Sequence, residues 1–115
     1  MPEFEDILSE LRGQFYRSAA ERFERIEQAL QALETMPPDA PETISTLREL
    51  MRQFHGLNGA GRTFGFPNVS VIARRAEEEC NRRLEKSQPP APDELQRWRE
   101  SLAELRKEVT PPANE

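Results

Sequence analysis

Phe54-His55-Gly56-Leu57-Asn58-Gly59-Ala60-Gly61-Arg62-Thr63-Phe64-Gly65-Phe66-Pro67 holds the only histidine of the chain and four of its five glycines, three of them within one helical pattern. Upstream, Ile44, Leu47, Leu50, Met51, Phe54, Leu57 and Gly61 recur every three or four residues, the period of one helix face. That pattern predicts a helix reaching about Phe64, stopped by Gly65-Phe66-Pro67. Each interior glycine costs a helix about 1 kcal/mol relative to alanine. Gly56, Gly59 and Gly61 are therefore expected to serve close approach of backbones or access for a partner.

Outward from this helix, the prolines punctuate the chain. They fall at Pro2, at Pro37, Pro38 and Pro41, at Pro67, at Pro89, Pro90 and Pro92, and at Pro111 and Pro112, and proline is expelled from helix interiors. Before the first cluster, Phe4, Ile7, Leu8, Leu11, Phe15, Ala19, Phe23, Ile26, Leu30 and Leu33 form one stripe. Gly13 and Ser18 weaken its middle, which predicts a short leading helix, a bend or break, and then a main helix. After Pro67, with Asn68 the expected N-cap, Val69, Ile72, Ala73, Ala76, Cys80 and Leu84 form a thin small-residue stripe. Pro92-Asp93-Glu94 is a helix start, with proline in the first turn and two acids at the positive end of the dipole. Leu95, Trp98, Leu102, Leu105 and Val109 follow, with Trp98 the anchor of the last helix.

The expected fold is all-α, an antiparallel up-and-down four-helix bundle with a short leading N-terminal helix. Residues 1-110 are read as the bundle and 111-115 as a flexible tail or the start of a linker. At 115 residues the chain has the length of one domain. Its 36% hydrophobic and 32% charged residues suit amphipathic helices better than sheets. A monomer is expected, because one internal core accounts for all four stripes.

Composition also narrows the partners. With 16 Lys+Arg against 21 Asp+Glu, the net charge of -5 repels a nucleic-acid backbone, so no nucleic acid is expected. No apolar run approaches membrane-spanning length and the N-terminus lacks signal-peptide order, so a cytoplasmic protein without membrane contact is expected. The single Cys80 has no partner for a disulfide and reads as a helix-packing residue. No glycine loop for phosphate and no ligand cluster is present, so no intrinsic cofactor or metal is expected.

His55 stands about 100° round the helix from Phe54, at the border of core and water, and Arg52, Gly59 and Arg62 lie on its side. A neutral imidazole with an open edge is a nucleophile that can take a phosphoryl group, given room for the donor and cations for the phosphate oxygens. Gly59 supplies room; Arg52 and Arg62 are the candidate cations. Arg48, Arg74 and Arg75 read as solvated surface. Glu77, Glu78 and Glu79 read as a wet helix face, with orientation of the imidazole as the other use of a carboxylate there.

The run from His55 to Pro67 resembles the signature of histidine-containing phosphotransfer (HPt) domains: His-x-Leu-Lys-Gly, several small residues, Gly, and often Phe-Pro. The likeness extends loosely over nearly the whole chain, including Ala73 to Glu77 in the following helix. It implies a four-helix bundle in which His55 is the phosphoacceptor, exchanging its phosphoryl group with an aspartate on a receiver (response-regulator) domain. It implies that Gly59 lets the receiver approach, that Gly65 closes the helix, and that the receiver brings Mg²⁺. The protein would be a phosphotransfer intermediate rather than an autonomous kinase, free-standing or part of a larger signalling kinase. The family usually carries Lys where this chain has Asn58. Asn58 still donates a hydrogen bond, and Arg62, one turn on, is the candidate replacement for the charge. Asn58 also keeps a second reading in view, a non-phosphorylated interaction module of HPt-like shape that binds a receiver or other signalling partner.

Overall fold

The computed structural model describes residues 2–110 and contains four helices: α1 (Pro2–Thr35), α2 (Thr43–Phe64), α3 (Pro67–Glu85) and α4 (Pro92–Glu108). No strand occurs among the described residues. The tail expected at 111-115 lies outside them. α2 packs on α1 and α3, and α4 closes the square by packing on α1 and α3. The bundle interior is filled from all four helices by Phe15, Ile26, Leu30, Leu47, Leu50, Phe54, Leu57, Val69, Cys80, Trp98, Leu102 and Leu105, each at most 1% exposed.

The leading helix and its break do not occur: α1 is continuous over 34 residues. Gly13 lowers helix propensity there but nothing requires it to leave helical geometry; the positive φ angles of the described residues are at Gly65 and Ser87. A single glycine among Leu11, Gln14 and Arg17 weakens the helix without redirecting it. The stripe of α1 divides differently from expectation as well. Phe15, Ala19, Phe23, Ile26, Leu30 and Leu33 are buried, whereas Phe4, Ile7, Leu8 and Leu11 are exposed.

The α2–α3 connection fixes the two central helices against each other. Gly65 takes φ 82° as the left-handed C-cap of α2, and the Phe66 N–H reaches back to the Gly61 carbonyl at 2.7 Å, closing the end carbonyls in the usual glycine manner. Phe66 then stacks on Phe15 of α1 with centroids 4.4 Å apart. Asn68 is not the cap of α3. Phe66 holds that position, Pro67 begins the helix, and Asn68 Nδ2 instead donates to Glu108 at 3.5 Å. Proline itself fixes the entry φ and has no N–H to satisfy, so the turn works without a side-chain cap.

Gly61 is the closest approach of the pair. A Cβ there would stand 3.0 Å from the Phe66 carbonyl oxygen, the Ser70 nitrogen and the Ser70 Oγ. With that space free, Ser70 Oγ donates to the Asn58 carbonyl at 2.6 Å. Across the bundle, Trp98 is buried and its indole N–H donates to Glu79 Oε1 at 3.1 Å. Arg99 of α4 reaches α1 through Glu27 Oε2 at 2.7 Å and both oxygens of Glu34, at 2.8 and 2.9 Å. Cys80 is free and buried, and burial pushes its thiol above the ordinary range, which leaves it protonated and inert.

Candidate functional site

The site sits midway along the α2–α3 seam. α2 presents His55 on its flank because Phe54 and Leu57 are drawn into the core, and one further step of the helix carries the imidazole to the edge. The His55 side chain is 71% exposed, and that of Glu77, opposite it on α3, is 14% exposed. Their atoms meet at 2.7 Å, Nδ1 to Oε2. An ionised carboxylate only accepts, so the ring meets it through Nδ1–H, and in the neutral ring Nε2 then carries the free lone pair.

Behind this pair runs a chain of polar contacts. Asn58 Nδ2 donates to the other oxygen of Glu77 at 3.4 Å, and Arg62 Nη2 donates to Asn58 Oδ1 at 3.1 Å. Asn58 is 8% exposed. The Asn58 amide is thus turned inward onto the carboxylate, and the Arg62 guanidinium is turned onto Asn58. Sequence reasoning put both beside the incoming phosphate; their contacts place them on the Glu77 side of the ring.

Of the remaining expected residues, Gly59 is exposed with nothing within 4 Å of where a Cβ would be, so the surface there is open. Arg52 lines a shallow cavity of about 350 Å³ with Met51, His55, Glu77 and Asn81. Its Nη1 lies 4.0 Å from Glu49 Oε2, and its side chain is 65% exposed. Arg48, Arg74 and Arg75 are exposed, as expected.

Glu77 is the residue that the reading of Glu77 to Glu79 as a wet face missed. Steps of about 100° send three successive carboxylates three ways: Glu77 to His55, Glu78 to Arg74 on the surface, and Glu79 to Trp98 and Arg97 of α4. The α3 stripe held the signal. Glu77 lies four residues after Ala73 and one after Ala76, both buried, which puts it at the edge of the packed face. Gly56 also has a role the sequence did not reveal. The Arg22 guanidinium crosses it from α1, in the space that a Cβ would need, and Arg22 Nη1 donates to Gln53 Oε1 at 3.1 Å.

Among the described residues no three His, Cys, Asp or Glu side chains gather as a metal site. Nor is any helix long and apolar enough to cross a membrane.

The helical bundle thus holds one exposed imidazole against a carboxylate, with open space at Gly59 one turn on. The chain belongs to the Hpt domain family: the family model of the Hpt domain matches residues 10–108. Hpt domains serve histidine phosphotransfer in two-component phosphorelays and interact with receiver domains. Comparison with curated proteins and with solved structures gave no match.

Proposed function

We propose that His55 is the phosphoacceptor of this domain, taking a phosphoryl group on Nε2 from the phosphoaspartate of a receiver and returning it to the same or another receiver. The observation that carries the proposal is the pairing of an exposed imidazole with a largely buried carboxylate at 2.7 Å. In the forward step the Nε2 lone pair attacks phosphorus in line, the Nε2–P bond forms, the P–O bond to the aspartate breaks, and the electron pair leaves on the aspartate carboxylate. The ring gains positive charge as it does so. Glu77 offsets that charge and keeps the proton on Nδ1, and Asn58, held by Arg62, keeps Glu77 in place.

In this reading Gly59 is the landing surface for the receiver, Arg52 is the cation free to meet the phosphoryl oxygens, and Mg²⁺ comes with the receiver. The working unit is the bundle of residues 1-110, in the cytoplasm, where receivers act. An antiparallel up-and-down course is supported by contact register: Asn58 meets Ser70 while His55, earlier on α2, meets Glu77, later on α3.

The test is incubation with a phosphorylated receiver domain. Transfer predicts an acid-labile, base-stable phosphoryl group on the protein that is lost in His55→Gln. Receiver binding with no such label would instead make the chain a non-phosphorylated interaction module.

A further inference from the structure

Phe4, Ile7, Leu8 and Leu11 are 63, 55, 40 and 39% exposed. Their spacing of three, four and seven residues puts them on one face of α1, and that face is the one that becomes buried from Phe15 onward. The core stripe of α1 therefore runs on past the end of the bundle, which closes where Phe15 meets Phe66. At the helical rise, the dozen or so residues before Phe15 extend roughly 20 Å beyond it. The molecule is accordingly 57 Å long against 25 and 20 Å across.

We infer that this stripe is a self-association surface, and that two copies of the chain pair the leading turns of α1 antiparallel about a two-fold axis. The charges beside the stripe select both the occupant and its direction. Glu3, Glu5, Asp6 and Glu10 crowd the tip of the protruding helix, and Arg12 and Arg17 stand at its base. Among the described residues none of these six makes an ion pair within the chain. Antiparallel pairing lays the acidic tip of each copy on the basic foot of the other. Glu5 and Arg12, seven residues apart on one edge of the stripe, then meet Arg12 and Glu5 of the second copy, two pairs by symmetry. Parallel pairing would instead gather the acidic tips of both copies at one end of the seam and the basic feet at the other.

With Glu3, Glu5, Asp6 and Glu10 against Arg12 and Arg17, the border of the stripe is net negative, the opposite of the basic face that holds an apolar helix on an anionic lipid surface. Eight large side chains, four from each copy, make an interface below the roughly 1,200–2,000 Å² of stable complexes, so the dimer is reversible and concentration-dependent. The four residues lie on the far side of Phe15 from the His55 site, so self-association stands or falls independently of phosphotransfer. The monomer expected from the sequence rested on counting all of the α1 stripe into one core, and the exposure of its first four members removes that ground.

Sedimentation velocity from about 5 to about 500 µM spans the range in which so small an interface forms. The expected result is a shift from monomer to dimer in the wild type. Leu8→Glu/Leu11→Glu should stay monomeric throughout, with unchanged helicity and thermal unfolding of the bundle. Glu5→Arg or Arg12→Glu alone should weaken the dimer at least about fivefold, and the two together should bring it back to within about twofold. A wild type that remains monomeric to the highest concentration overturns the inference, as does a dimer that survives Leu8→Glu/Leu11→Glu. Charge reversals without effect, or cosedimentation of the stripe with phosphatidylserine vesicles and no self-association, overturn it as well.

Discussion

Glu77 of α3 meets His55 Nδ1 of α2 at 2.7 Å, with the carboxylate side chain 14% exposed and the imidazole 71% exposed. The contact joins a group sheltered by the bundle to one that a partner can reach. It divides the ring into an anchored edge and an exposed edge.

The proposed role of His55 predicts that Glu77 bears on the rate of transfer rather than on the fold. Glu77→Ala should slow phosphoryl transfer to His55 by roughly 10²-fold, the lower end of what a positioned proton-holding group contributes. Glu77→Gln keeps an acceptor for Nδ1–H but not the charge, and should fall between the two. Rapid-quench transfer from a phosphorylated receiver measures both variants, with circular dichroism showing that the helices persist.

Arg62 acts through Asn58 on that carboxylate. Arg62→Ala should slow transfer a few-fold without unfolding the bundle, and the loss should vanish in a Glu77→Ala background. A double-mutant cycle reads the coupling. If Arg62 met the phosphoryl group directly, as the sequence suggested, its loss would be the same in both backgrounds.

Two glycines of α2 separate function from packing. Gly59 has open space where a Cβ would be, so Gly59→Ala should raise stability by about 1 kcal/mol through helix propensity while slowing transfer by obstructing the receiver. At Gly61 the methyl would press on the Phe66 and Ser70 backbone at 3.0 Å, so Gly61→Ala should lower stability by about 1–3 kcal/mol. Urea unfolding and transfer rates on the two variants test the contrast.

The α1–α4 seam carries an acid-sensitive contact. Hydrogen bonds from Arg99 hold the Glu34 carboxyl below its ordinary value of 4.5. A carboxyl lowered in the folded state contributes stability that is complete above its unfolded pKa and is lost as pH falls through the folded one. Both partners are about one-third exposed, so solvent screens the pair and Arg99→Gln should cost about 0.5–1 kcal/mol at pH 7. Thermal unfolding of wild type and variant should show the gap closing as pH falls below 4.5.

Proline clusters and apolar periods made the bundle legible: the helix from Thr43 to Phe64 and the Pro92 start lie where the sequence put them. What a single period does not show is where a helix outruns its neighbours. Phe4 and Phe15 belong to one stripe, yet only Phe15 has Phe66 to stack on. Nor does it weigh weak residues against their context: Gly13 and Ser18 predict a bend or break, yet α1 runs through both as one helix. Near the proposed site, Gly65 was legible as the helix stop because it is an unlike residue in a helical pattern, and His55 and Gly59 stand out in the sequence for the same reason. Glu77 was not, since the three acids of its run differ only in azimuth, and that depends on which neighbouring helix each one meets.

The central claim is that Glu77 holds the proton of His55 on Nδ1 so that Nε2 takes the phosphoryl group. His55 is the only histidine of the chain, so a long-range ¹H–¹⁵N correlation spectrum of the ring is unambiguous, before and after phosphorylation by a receiver. The account predicts the Nδ1–H tautomer in the free protein and phosphorus coupling to Nε2 in the phosphorylated one. An Nε2–H tautomer with phosphorus on Nδ1, or a ring that takes up no phosphorus, would contradict it.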